Sequence, residues 1–325
     1  MACNSCQISL FHFFEIISNQ QQLVSFLQEH GVLPENMECP HCEKLCKFYT
    51  ENDLRFKCTS SKLMSKNKRK RQKIYCSFSV SARKGTFFDK SKLSLDTICK
   101  FVAFWLVSAP SRQTLLENEL NISSKSVVDW SNLCRDVCLI CMVDGSEQIG
   151  GPNKIVEVNE DKIKVGKRKY NRGRLIKAQW VFGGIEYDSN KCFLVLADDN
   201  SKETLLQVIK NWVLPGTTII SDCWKSYDCL ADEGFQHETV NHSKNFVDLD
   251  TGVHTRNTDK LWRDMKSSIP RFSRRENNFD GYLAECQFRM KYSNHTDRFH
   301  HFFKSMAHLQ PPAELDSGES SDGSD

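Results

Sequence analysis

Residues 155–222 read IVEVNEDKIKVGKRKYNRGRLIKAQWVFGGIEYDSNKCFLVLADDNSKETLLQVIKNWVLPGTTIISD, and this stretch decides the fold. It opens on an apolar strand through Ile155, Val156 and Val158, which runs into a basic loop. Two more strands are expected at Trp180–Tyr187 and Lys191–Ala197, with Asp188, Ser189 and Asn190 turning the chain between them. A helix over Lys202–Val213 follows and stops at Pro215–Gly216. The apolar run Thr217–Ser221 then reads as a buried strand that delivers Asp222. Strand, hairpin, helix and strand in this order predict an α/β fold with a mixed sheet and flanking helices.

Working outward, Gly150–Gly151–Pro152 marks a boundary on the N-terminal side. Before it, Leu93–Asp144 reads as helices. Thr97–Val107 is strongly apolar and ended by Pro110, and Ser111 is placed to cap a segment running to Leu120. After a break at Asn121, Ser123 caps a third helix carrying Val127, Val128, Trp130, Leu133 and Val137. Two helices around a tight break fit a DNA-reading helix-turn-helix and equally an ordinary helical packing unit. Further forward, Phe13, Ile16, Ile17, Leu23, Phe26 and Leu27 recur at helical spacing and end near Gly31, as one helical preface. Beyond Asp222, another helix, a short strand near Thr239–Val240 and a long C-terminal helical region are expected. The acidic segment QPPAELDSGESSDGSD (310–325) is low in complexity and expected to be disordered. The expected division is a helical segment (1–36), a β-rich cysteine module with a basic insertion (37–92), a helical module (93–148), the sheet domain (150–305) and the acidic tail (306–325).

The chain of 325 residues has room for two or three modules, and 39% hydrophobic with 26% charged residues is the composition of a globular protein. No apolar run reaches the ~18 residues of a membrane span, so no membrane partner is expected. The N-terminal residues lack a positively charged leader before an apolar stretch, which argues against a secretory signal. Fifteen cysteines in that setting predict reduced thiols, some of them metal ligands, rather than a disulfide framework. The net charge of +3 excludes nothing by itself, but the basic residues cluster at Lys66–Lys73, Lys162–Arg174 and Arg263–Arg275. Lys68, Arg69, Lys70 and Arg71 read equally as a nuclear import signal or as phosphate contacts, and a nuclear location is expected.

Cys39-Pro-His-Cys42 has the spacing at which two thiolates share one tetrahedral metal. Cys58 and Cys76 follow in the same basic stretch, which predicts a structural Zn²⁺ ribbon on Cys39, Cys42, Cys58 and Cys76. Residues 59–75 must then loop out between the second pair. Cys46 and His41 compete as ligands, and Cys3-x-x-Cys6 is a second candidate knuckle near a terminus expected to fray. Cys99, Cys134, Cys138, Cys141 and Cys192 fall in helical or strand patterns and are expected in the core.

Phosphodiester transfer uses two divalent ions about 3.5–4 Å apart, held by carboxylates from different elements. Asp222 at a strand end and Asp259 at the start of DKLWRDMK suit that role, although each alone also reads as a cap or a solvated acid. Lys167, Arg168, Lys169, Arg172 and Arg174, in a loop after the first strand, suit DNA phosphates or a solvated hairpin.

Val156–Asp161 (VEVNED) followed by Gly166–Arg174 (GKRKYNRGR) resembles the first catalytic block of Merlin-type DDE transposases and their bacterial insertion-sequence relatives. Ser221–Tyr227 (SDCWKSY) resembles their second block, Asn241–Lys266 their third, and Cys76–Leu93 their link from ribbon to helices. The resemblance spans roughly residues 37 to 300. It implies an RNase H-like core behind a zinc ribbon and a helix-turn-helix-like module. It also implies action on double-stranded DNA at terminal inverted repeats, homo-oligomer formation, and strand cleavage and transfer with Mg²⁺ or Mn²⁺. The three catalytic positions fall on Asn159, Asp222 and Asp259. The family has Asp where this chain has Asn159 and Glu where it has Asp259. Asn removes a charge, whereas Asp keeps it on a side chain one methylene shorter. Glu157 shares the strand face of Asn159 about 7 Å further back, and Glu160 points the other way, so neither replaces the missing carboxylate. The chain therefore reads as a transposase-derived DNA-binding protein, decayed or host-recruited, with impaired chemistry; the alternative is an active transposase that tolerates Asn159.

Overall fold

The computed structural model describes residues 2–50, 54–67, 70–109, 112–165, 177–189, 191–222, 230–240, 256–269 and 278–311. They pack as two compact units, one from Met1–Leu106 together with Thr296–Asp325, the other from Val107–His295.

The first unit opens with α1 (Leu10–Ser18) and α2 (Gln20–Glu29). One helix was expected here, but Asn19 breaks it. Asn19 takes extended backbone, and its side chain accepts from the Gln21 and Gln22 amides, so it caps a new helix instead of continuing the old one. Gly31, at φ +77°, lies just beyond the end of α2. Strands β1 (Lys47–Tyr49), β2 (Arg55–Lys57), β3 (Ser61–Asn67), β4 (Lys70–Tyr75) and β5 (Ser79–Ser81) follow. β1, β2 and β5 form an antiparallel sheet, and the β3–β4 hairpin grows out between β2 and β5. The segment expected to loop out is thus largely an ordered ribbon. Helix α3 (Leu95–Val107) buries Ile98, Phe101, Val102 and Trp105. Phe13 of α1 sits among Phe26, Phe299 and Phe303 with ring centroids 4.8–5.5 Å away, so the C-terminal helix His295–Leu309 completes this core.

The second unit begins with α4 (Gln113–Leu120) and α5 (Ser124–Asp144). Asn121 between them is left-handed (φ 50°, ψ 47°), and the Ser123 side chain accepts from the Ser126 amide as expected. Ser111 lies outside the described residues; Arg112 takes the N-cap position and makes no side-chain cap bond. Then come β6 (Ile149–Gly150), β7 (Ile155–Val165), β8 (Lys177–Glu186), β9 (Cys192–Ala197), α6 (Lys202–Trp212), β10 (Val213–Leu214) and β11 (Thr218–Asp222). A single 3₁₀ turn (Ala231–Glu233), β12 (Gln236–Val240), α7 (Arg256–Ser268) and α8 (Phe279–Lys291) complete it, and the C-terminal helix is α9. Among the described residues between β11 and β12, that turn stands where a helix was expected.

The main sheet has the order β12-β11-β7-β8-β9, with β7, β8 and β9 an antiparallel meander and β11 and β12 parallel to β7. This is an RNase H-like sheet. Alternation along β7 divides its side chains between two cores. Val156 and Val158 join Leu205 and Ile209 of α6 on one face. Ile163 joins Leu261, Met265 and Leu283 of α7 and α8 on the other. Odd-numbered residues Glu157, Asn159 and Asp161 therefore share the face that α7 covers.

Candidate functional site

The four cysteines of the β-rich module converge. The chain turns tightly at the knuckle, where the Cys42 and Glu43 amides bond to the Cys39 carbonyl and the Cys39 amide to that of Lys44. The hairpin brings in the second pair, because antiparallel pairing returns the chain to where it left. The Cys76 amide bonds to the Ser60 carbonyl, and the Cys58 amide to that of Phe78. Sγ of Cys39 lies 3.5 Å from that of Cys76, Sγ of Cys42 lies 3.4 Å from that of Cys58, and all four sulfurs are within 4.8 Å of one another. Cys46 and His41 stand outside this group. The Lys44 backbone and the Cys58 thiol favour the Cys42 thiolate and bring its pKa down to about 7. Four soft donors at tetrahedral-edge distances can hold a metal.

The three acidic-site positions lie on elements of the second unit. Asn159 is in β7, Asp222 is the last residue of β11, and Asp259 is in the first turn of α7. β7 and β11 pair in parallel through Thr218↔Ile155, Ile219↔Val156 and Ile220↔Glu157, an offset of 63 (220 − 157). Asp222 on β11 and Asn159 on β7 each lie two residues beyond the last of these pairs, Ile220↔Glu157.

Sequence reading missed what holds α7 there. Glu157 is fully buried, and its carboxylate accepts from the Thr258 amide at 2.8 Å and the Asn257 side chain at 3.0 Å. A buried carboxylate on the first-turn amides pins the helix N-terminus to β7, next to Asp259. Further along, Lys266 pairs with Asp161. Nine helical residues at about 1.5 Å and four strand residues at about 3.4 Å both span about 13–14 Å, so the two clamps agree. Gly183, opposite Asn159 in β8, lets α7 approach. A Cβ there would meet Leu194 at 2.8 Å and Leu261 at 3.4 Å. Glu157 and Asp161 are thus both engaged, and the Asn159 Oδ1 accepts from the Glu160 amide at 2.8 Å.

Of the basic positions, Lys70 and Arg71 fall in β4, while Lys68, Arg69, Lys167, Arg168, Lys169, Arg172 and Arg174 lie outside the described residues. Lys162, expected at the start of the basic loop, is in β7, and its Nζ lies 4.8 Å from the centre of the Trp180 ring on the paired strand. Among the described residues, no helix is long and apolar enough to cross a membrane.

Residues 148–291 match the family model of the ISXO2-like transposase domain. An uncharacterized transposase-like protein of Haemophilus influenzae is 28% identical over 104 residues, which is 32% of this chain and 83% of that protein. Among solved structures, the HTLV-2 integrase catalytic core domain in complex with magnesium matches at 11% identity and a TM-score of 0.26, over 42% of this chain and 86% of that one. A simian T-cell lymphotropic virus intasome in complex with the PP2A regulatory subunit B56 gamma matches at 11% identity and a TM-score of 0.28, over 53% and 63%.

Proposed function

From the match of residues 148–291 to the family model of the ISXO2-like transposase domain, we propose that the chain is a transposase-derived protein that binds double-stranded DNA and has lost most or all strand-cutting chemistry. One observation carries the second half of this reading. Two residues past the last β7–β11 pair, β7 carries Asn159 and β11 carries Asp222, and the acids two residues to either side of Asn159 are engaged by α7.

Two divalent cations bring four positive charges. Asp222 and Asp259 supply two negative ones, and Asn159 adds only a neutral oxygen, which also accepts from the Glu160 amide. Hard cations such as Mg²⁺ favour anionic oxygen, so this donor set does not fit a two-metal site, and no catalytic step is assigned to it. The sulfur cluster, by contrast, fits Zn²⁺, because Zn–S bonds of about 2.3 Å separate tetrahedral sulfurs by about 3.8 Å. Cys39, Cys42, Cys58 and Cys76 would hold that ion and organise the ribbon around it.

DNA engagement rests on the basic run at Lys68–Arg71 and on Lys167, Arg168, Lys169, Arg172 and Arg174, whose charges suit phosphates without reading sequence. The location is the nucleus, the preferred DNA a terminal inverted repeat, and the bound form a homo-oligomer.

The test is strand cleavage of an inverted-repeat duplex in Mg²⁺ or Mn²⁺ by the natural protein, Asn159→Asp and Asp222→Ala, with duplex binding measured across salt. The natural protein should bind with a log-log salt slope near −0.9 per phosphate contact and leave the strands intact. Asn159→Asp should tighten Mn²⁺ binding. Robust cleavage by the natural protein that Asp222→Ala abolishes would establish an active transposase instead.

A further inference from the structure

We propose a second structural zinc site, of the Cys₂His₂ type, on Cys3, Cys6, His30 and His300. The Cys3–Cys6 pair, His30 and His300 are distant in sequence but converge in the first unit, with their ligand atoms all within 4.8 Å of one another. Cys6 Sγ lies 3.4 Å from His30 Nε2 and 3.4 Å from His300 Nδ1, and Cys3 Sγ lies 3.6 Å from that same Nδ1. A tetrahedral zinc with bonds of about 2.3 Å to sulfur and 2.0–2.1 Å to nitrogen gives sulfur–nitrogen edges of about 3.6 Å.

Each donor is delivered by a fixed element. The Cys3 amide bonds to the Glu29 carbonyl and the Ile8 amide to the Thr296 carbonyl, so the knuckle is strapped to the end of α2 and the start of α9. His30 is the C-cap of α2, and His300 stands on α9; both are buried, at 1% and 6% exposure. The His30 Nδ1 lies 2.7 Å from the Phe26 carbonyl oxygen. Only a protonated nitrogen bonds a carbonyl, so Nε2 keeps its lone pair and aims it at Cys6. A backbone carbonyl behind the imidazole is the usual support of a metal-ligating histidine.

Thiol–imidazole hydrogen bonds are the competing account. Each thiol has one proton, whereas a metal satisfies four converging donors at once. Two thiolates with two imidazoles suit zinc in particular. The ion would join residues 294 positions apart (Cys6 and His300) and lock both chain ends onto α2.

X-ray absorption at the zinc edge of the full-length protein, with elemental analysis, decides the matter without any variant. Two zincs per chain, with an average shell of three sulfurs and one nitrogen, are expected from one Cys₄ and one Cys₂His₂ site. One zinc per chain with four sulfurs would overturn the proposal. Cys3→Ser/Cys6→Ser should remove one zinc and leave an all-sulfur shell, and retention of both zincs in that variant would also overturn it. Cys39→Ser/Cys42→Ser should leave one zinc on two sulfurs and two nitrogens. A natural protein with a single zinc in that mixed shell would support this site while refuting the ribbon.

Discussion

The two units use cysteine in opposite ways. In the first, Cys39, Cys42, Cys58 and Cys76 face one another, and Cys3 and Cys6 face two imidazoles. In the second, Cys192 and Cys286 sit in apolar surroundings, where burial pushes both thiols up to about 12. Within the ribbon the clustered thiols split instead: Cys42 is brought down to about 7 by the Lys44 backbone and the Cys58 thiol, while Cys58 is pushed up to about 12. A thiolate is a ligand, whereas a buried thiol is a small hydrophobe. For the ribbon the difference is local, because the helices of the first unit have an aromatic core of their own. The β1–β2–β5 sheet has strands of three residues and little to bury, so donors must hold it. The five-stranded sheet has an apolar layer on each face. Its polar centre is Glu285 of α8, fully buried against Arg112 at 2.7 Å, Arg135 at 3.1 Å and Arg289 at 3.2 Å, which ties α8 to α5 and to the start of α4.

If the two clusters hold zinc as proposed, stripping it from the whole protein is the most forceful way to break this comparison. Structural zinc contributes about 10–16 kcal/mol of apparent binding energy in small modules. A strong chelator should erase amide-exchange protection in β1, β2 and β5 while β7, β8, β9 and β11 keep theirs. Equal loss in both sheets would mean that the second unit does not stand on its own core.

Next in size is Glu285→Ala, which leaves three guanidiniums without their shared partner and should cost about 3–5 kcal/mol in urea unfolding of the second unit. Burial works against the charged carboxylate, but Arg112, Arg135 and Arg289 outweigh it and hold the Glu285 pKa below the ordinary range. A folded pKa below the unfolded one contributes stability that is fully present above about pH 4.3 and is lost as pH falls through the folded value. The natural protein should therefore weaken on acidification in that window, and Glu285→Gln should flatten that part of its urea-midpoint profile against pH.

The smallest effect is expected for Cys192→Ala, about 1 kcal/mol for a lost buried group, with zinc content unchanged. A drop in zinc content would place a metal ligand where the comparison puts only packing.

Strand, hairpin, helix and strand were legible because side-chain alternation, the Asp188–Asn190 turn and Pro215–Gly216 are local signals. So was the Cys39–Cys42 knuckle, whose two ligands are three residues apart. The break at Asn19 was open to the same kind of reading, since Asn is a strong N-cap, but the apolar spacing ran straight through it. What one sequence could not supply was any partnership across long separations. Cys6 and His300 meet only because α9 packs on α1 and α2, and Glu157 reaches the α7 amides 101 residues on only because the helix lies along that face of β7. Sequence determined most elements of the main sheet, the four thiols that converge in the ribbon and the Asn at position 159. The tertiary structure alone decided which neighbouring acids were already engaged and which distant histidines joined Cys3 and Cys6. Hydrophobic periodicity and turn chemistry act over a few residues, whereas convergence of buried polar groups depends on packing between elements far apart in the chain.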